Sequence, residues 1–156
     1  MDDLAKALTV FRGKRVLVTG DTGFKGSWLS LWLAEAGAEV YGYALPPERE
    51  KDHFKVLKLS DRIVHREGDI RDRGRLGGFF EHAQPEFVFH LAAQALVRRS
   101  YLDPKDTFDI NVGGSVKFLL EEVQKLEVIL PRYESHEAKK EILTMHLLQT
   151  LDEVRS

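Results

Sequence analysis

The stretch VLVTGDTGFKGSWLSLWLAEAGAEV, Val16 to Val40, decides the fold. Val16-Leu-Val-Thr19 is a β-rich apolar run of the kind that makes a strand covered on both faces. Glycines stand at 20, 23 and 26, and from Phe24 to Ala36 apolar residues (Trp28, Leu31, Trp32) recur at helical spacing until Gly37 stops the helix. Gly20 to Gly26 is therefore a GxxGxxG loop between a strand and a helix. In that setting the first glycine permits the tight turn and the second lets backbone approach a diphosphate. The third lets the helix pack on the strand, and the helix N-terminus offers free N–H groups and a positive dipole end to the anion. The loop is not a P-loop, because Gly26 is followed by Ser27 and Trp28 and the Gly-Lys-Ser/Thr ending is absent.

Working outward, Glu39 to Tyr43 reads as a second strand ended by Pro46 and Pro47, with a short helix near Phe54 to Leu59. Arg62 to His65 reads as a third strand, and Arg71 to His82 as a helix weakened by Gly74, Gly77 and Gly78. Phe87 to Leu91 is the clearest strand after the first. Lys105 to Lys125 carries a long helix, and Glu127 to Leu130 reads as a fifth strand. In residues 136 to 155, Ala138, Ile142, Met145, Leu148 and Leu151 recur at three- and four-residue steps, the pattern of an amphipathic helix. Strand and helix alternating in this way predict an α/β fold, a Rossmann-type doubly wound parallel sheet of about five strands with an extra C-terminal helix. Right-handed crossovers would place the glycine loop at a crevice along the carboxyl ends of the strands. Residues 1–130 then form the nucleotide-binding part, and 131–156 a helical tail.

The totals agree with one domain: 156 residues, 43% of them apolar. A formal charge of -2, from 23 basic and 25 acidic residues, argues against an electrostatic nucleic-acid binder. No run approaches the roughly 18 apolar residues of a membrane span, and MDDLAKALTVFRGKR is unlike a secretory signal. The absence of cysteine excludes disulfides and thiolate metal sites and suits a cytoplasmic setting. His136 and His146 have no third ligand in register, so they predict no metal site.

A ribose-binding acid is expected about 20 residues after such a loop. The stretch there, Tyr41-Gly-Tyr43-Ala-Leu45, holds no carboxylate, so the residues alone leave NAD and NADP both open. Arg49 is the nearest group of a kind that meets a 2′-phosphate, although an arginine in PPERE reads more simply as solvated.

GKRVLVTGDTGFKGSWLSLWL, GAEVYGYALPP, GDIRD (Gly68 to Asp72), PEFVFHLAAQALVRRSY (Pro85 to Tyr101) and NVGGSVKFLLE together resemble the extended short-chain dehydrogenase/reductases, the NAD-dependent epimerase/dehydratase family. The resemblance covers roughly residues 12 to 122. GFKGSWLSLWL with GYALPP is closest to the family's branch that acts on CDP-glucose. It implies NAD as cofactor, its diphosphate held by Gly20, Thr22, Gly23 and Gly26 with the backbone at Phe24 and Lys25. It further implies adenine contacts from Asp69 and the Ile70 amide. Leu91, Ala92 and Ala93 would line the ribose and nicotinamide side, with Gln94 close by. The implied substrate is a nucleotide sugar, CDP-glucose, dehydrated with the hydride lent and returned. A homo-oligomer is a further expectation.

That chemistry needs a base for the sugar hydroxyl, which the family supplies as the tyrosine of a helical YxxxK pair, one turn apart on one face. Tyr101-Leu-Asp-Pro-Lys105 is the literal match, but Pro104 would break the helix on which the spacing depends. Tyr101 also follows the fourth strand, where the family's motif follows the fifth. Tyr41, Tyr43 and Tyr133 are followed four residues on by Leu45, Pro47 and Glu137. No catalytic residue is assigned, and the tail after Leu130 shows no resemblance to the family, as a truncated, frameshifted or fused gene would each give. Arg98 and Arg99 suit a substrate diphosphate or, more simply, a solvated surface. A non-catalytic dinucleotide-binding or assembly module, or a fragment of another NAD-dependent sugar-nucleotide epimerase or reductase, are the alternative readings.

Overall fold

A computed structural model describes residues 9–119. Four strands, β1 (Arg15–Thr19), β2 (Glu39–Ala44), β3 (Val64–Glu67) and β4 (Phe87–His90), form one sheet in the order β3-β2-β1-β4. Every pairing is parallel; Val18 stands opposite Gly42 on β2 and Phe89 on β4, and Gly42 opposite His65 on β3. Helices α1 (Phe24–Glu35), α2 (His53–Val56) and α3 (Arg73–Ala83) fill the first three crossovers. After β4 come α4 (Val97–Leu102) and α5 (Pro104–Phe108). α5 runs on through a π-helical segment, Asp109–Gly114, into helical residues 115–119.

The alternation in β1 explains the two-sided packing. Val16 and Val18 point to one face, where they meet Leu33, Val40, Phe54 and Leu59. Leu17 points to the other, against Tyr43, Leu76, Phe79, Phe80 and Phe118. All three strand residues are fully buried. At about 25 cal/mol per Å² of apolar area, such double-sided burial is the main force that holds a central strand.

The doubly wound fold is as expected, with differences of detail. β3 starts two residues later than Arg62, because a 3-10 turn at Leu59–Asp61 carries Arg62 as its cap and the Ile63 N–H donates back to the Leu59 carbonyl. α1 turns its tryptophans outward: Trp28 and Trp32 are 37% and 48% exposed, while Gly26, Ser27, Ser30 and Leu33 face the sheet. Small residues on the inner face let the helix start close against the glycine loop, which bulky ones would not. The fifth strand at Glu127 to Leu130, the end of the long helix and the tail helix lie outside the described residues.

Candidate functional site

The loops that leave the carboxyl ends of all four strands line an open cavity of about 590 Å³. That size suits a cofactor-sized ligand. The glycine loop forms one wall. Gly20 adopts φ +77°, a left-handed conformation, and a Cβ there would sit 2.8 Å from the backbone of Leu91 and Ala92. A Cβ on Gly26 would lie 2.1 Å from the Gly20 carbonyl oxygen, so this glycine sets how closely α1 approaches the loop. Gly23 is the N-cap of α1 and gives it no side-chain cap. The first-turn N–H groups, which have no intrahelical partners, thus receive no side-chain cap from Gly23, the arrangement found where helix N-termini meet anions. Thr22 donates its hydroxyl hydrogen to the Leu45 carbonyl at 2.9 Å, pinning the loop to the end of β2.

The opposite wall follows β4. Thr19 Oγ1 accepts from the N–H groups of both Leu91 and Ala92 at 3.2 Å. Its remaining hydrogen points to His90 Nδ1, 2.7 Å away, and His90 Nε2–H then donates to Ser115 Oγ at 2.9 Å. The imidazole stacks on Phe118 and stays neutral, since burial pushes its pKa down to about 4. Further along, Asn111 brackets Gln94: its Oδ1 accepts from the Gln94 N–H at 2.7 Å and its Nδ2 donates to the Gln94 carbonyl at 3.1 Å. The Gln94 side chain folds back, accepting from the Leu96 N–H and donating to the Leu96 carbonyl and Thr107 Oγ1.

At the far end the β3–α3 loop presents Asp69 and Ile70. Hydrogen bonds from Arg71, from its guanidinium and from its backbone N–H, hold Asp69 well below the usual carboxylate range. Arg71 also reaches Asp106, and Asp106 accepts from Arg99, so charged contacts join this loop to the helices after β4.

Of the residues expected at the site, Gly20, Thr22, Gly23 and Phe24 line the cavity, as do Asp69, Ile70 and the run Leu91 to Gln94. Lys25 is exposed in the first turn of α1, and Gly26 lies buried beneath the loop. Arg49 and Arg99 also line the cavity. Tyr101 is 84% exposed at the end of α4, while Lys105 lies in α5, whose cap at Asp103 separates the two helices, and binds Asp109. They form no proton-transfer pair. The supporting groups Thr19, His90 and Asn111 escaped the sequence reading; Thr19 and His90 leave one trace there, a polar residue closing an apolar strand, as in VLVT and FVFH, and Asn111, inside a helix, leaves none.

A parallel sheet covered on both faces, with a glycine loop opening on a helix N-terminus at the strand ends, defines a Rossmann-type nucleotide-binding domain. The family model for GDP-mannose 4,6 dehydratase matches residues 17–138, and the chain belongs to that family. A CDP-glucose 4,6-dehydratase from Salmonella typhimurium is 51% identical over 116 residues, covering 74% of this chain and 32% of the relative. A UDP-glucose 4-epimerase from Mycolicibacterium smegmatis is 37% identical over 103 residues, 66% of this chain and 33% of the relative. Among solved structures, the UDP-glucose 4-epimerase from Brucella ovis in complex with NAD superposes with a TM-score of 0.59 at 33% identity, over 68% of this chain and 31% of that one. The Thermotoga maritima UDP-glucose 4-epimerase with UDP-glucose gives 0.61 at 33% identity, over 70% and 34%. The chain spans about a third of the length of these relatives.

Proposed function

We propose that this chain is the dinucleotide-binding portion of a nucleotide-sugar 4,6-dehydratase that takes NAD and acts on CDP-glucose, giving CDP-4-dehydro-6-deoxyglucose and water. The observation that carries this reading is the glycine cradle: Gly20 and Gly26 leave no room for a Cβ, and α1 opens uncapped onto the cavity. The loop from Gly20 to Gly26 would hold the diphosphate, with Asp69 and the Ile70 amide at the adenine and Leu91 to Gln94 at the ribose and nicotinamide. Bound NAD supplies reversible hydride transfer, recycled over the net dehydration. The similarity to the Salmonella enzyme supports CDP-glucose over other nucleotide sugars.

Within the described residues the protein positions and shields the cofactor, and no tyrosine–lysine pair is assembled to move the sugar proton. That separation of Tyr101 from Lys105 favours a second reading, a cofactor-binding module that serves a larger assembly. The outward apolar side chains of Phe108, Val112 and Val116, one turn apart on one helix, support a homo-oligomer. The cysteine-free composition supports a cytoplasmic setting. Among the described residues no helix is long and apolar enough to cross a membrane.

Calorimetric titration of NAD and NADP into the folded chain tests the binding reading. Saturable one-site binding of NAD is the expected result, and no heat from either nucleotide would refute it. Product analysis with CDP-glucose against UDP-glucose tests the substrate.

A further inference from the structure

Asp21 sits inside the glycine loop with its side chain completely buried. Its Oδ2 lies 2.7 Å from Nδ1 of His65, whose side chain is itself only 12% exposed. The two residues belong to different ends of the site. Asp21 follows β1, His65 is on β3, and β2 runs between them. The carboxylate crosses β2 at Gly42, the register partner of His65. A Cβ at Gly42 would stand 2.1 Å from Asp21 Oδ2, so the crossing depends on that glycine. Phe54 covers the imidazole with ring centroids 4.6 Å apart.

The burial is costly. Asp21 Oδ1 and His65 Nε2 are both buried without a hydrogen-bond partner, and desolvation pushes the Asp21 carboxyl up against the opposing pull of His65. Two apolar residues in the same space would usually stabilise the fold as well or better. What an apolar pair would lack is a fixed distance and direction. The pair joins the loop assigned to the diphosphate to the strand that runs directly into Gly68, Asp69 and Ile70, the loop assigned to adenine.

We infer that Asp21 and His65 are a positioning pair whose hydrogen bond, passing over Gly42, sets the spacing between the diphosphate loop and the adenine loop and so the affinity for the adenosine diphosphate half of the cofactor. The inference rests on the dinucleotide reading above. Neither residue touches the ligand, and the nicotinamide half is untouched by the pair.

The test is calorimetric titration of NAD and of ADP into the purified chain and four variants, each first shown to unfold cooperatively on heating. Asp21→Ala removes the bond, and Asp21→Asn keeps an acceptor of the same shape. His65→Phe removes the imidazole, and Asp21→Ala/His65→Phe removes both groups. Asp21→Ala is expected to weaken NAD and ADP alike by roughly tenfold, with His65→Phe adding little to it in the double variant. Asp21→Asn is expected to restore most of the affinity. If Asp21→Ala does not fold, the same comparison is made from the other side, with His65→Asn expected to outbind His65→Phe. Unchanged affinity in folded Asp21→Ala, a loss confined to NAD, or Asp21→Asn as weak as Asp21→Ala would each overturn the inference. A wild-type chain that binds neither nucleotide refutes the dinucleotide reading itself, and the inference with it.

Discussion

Acid should destabilise this protein through His90 in a way that can be measured. The imidazole accepts from Thr19 Oγ1 at 2.7 Å, donates to Ser115 Oγ at 2.9 Å and lies against Phe118 with ring centroids 4.3 Å apart. A second proton would have to enter at Nδ1, facing a hydroxyl whose lone pairs are taken by the Leu91 and Ala92 N–H groups. Burial accordingly lowers the folded-state pKa from 6.5 to about 4. The sign follows. Above 6.5 both folded and unfolded chains hold the ring neutral and the network's contribution is complete. Between 6.5 and about 4 the unfolded chain takes up a proton that the folded chain refuses, so stability falls as pH falls. The slope approaches about 1.4 kcal/mol per pH unit and the total is about 3 kcal/mol. The assay is urea unfolding from pH 8 to pH 4 for wild type and His90→Asn, which keeps an acceptor near the Nδ1 position and cannot titrate. Buried Asp21, whose raised pKa works in the opposite direction, is common to both proteins and cancels in the difference. The stability gap between the two proteins should close or reverse as pH drops through that window. Parallel pH curves would refute the neutral, doubly bonded imidazole.

Gly26→Ala should cost about 1–3 kcal/mol of stability by overpacking, since its Cβ would enter to 2.1 Å of the Gly20 carbonyl oxygen; thermal unfolding reads the loss, and NAD titration should show binding weakened with it. Asn111→Ala leaves the Gln94 N–H and carbonyl unsatisfied; a loss of about 1–3 kcal/mol in urea unfolding is expected. Tyr101→Phe should change neither stability nor nucleotide affinity beyond about 0.5 kcal/mol, because the side chain is 84% exposed and distant in role from any base. A clear loss of binding in that variant would reopen Tyr101 as a site residue.

The parts of this fold that could be read from residues are those in which cause and effect lie close together along the chain. The alternation of Val16, Leu17 and Val18 and the glycines at 20, 23 and 26 act within a turn or two, and the strand, loop and helix stand where that pattern puts them. Helix α1 marks where periodicity stops being informative. Its tryptophans recur at helical spacing, yet the face that meets the sheet is Gly26, Ser27, Ser30 and Leu33, small near the glycine loop, where close approach outweighs apolar area, and apolar only further along. The long helix after β4 is similar: its spacing is visible, but not the π-helical segment around Asn111, whose side chain reaches 17 residues back to Gln94.

What completes the site is polar and long-range. Asp21 meets His65 across 44 residues and Thr19 meets His90 across 71, and no local pattern encodes either separation. Thr19 and His90 nevertheless leave a mark, a polar residue where an apolar strand runs into its loop, and Asp21 stands just beyond the same strand; His65, the second residue of β3, leaves none. At such a position the side chain is too far inside to be solvated and too near the strand end to join the apolar core. Burial without a partner would cost several kcal/mol. A partner must therefore exist, and in a parallel sheet it comes from another strand. Thr19 and His90 are register partners at the ends of β1 and β4. The Asp21 carboxylate has to pass over β2, and it does so at Gly42, the one residue of that strand without a side chain. The same requirement thus pairs these residues and ties β1 and its loop to β4 on one side and β3 on the other: buried polar side chains find their partners across the sheet.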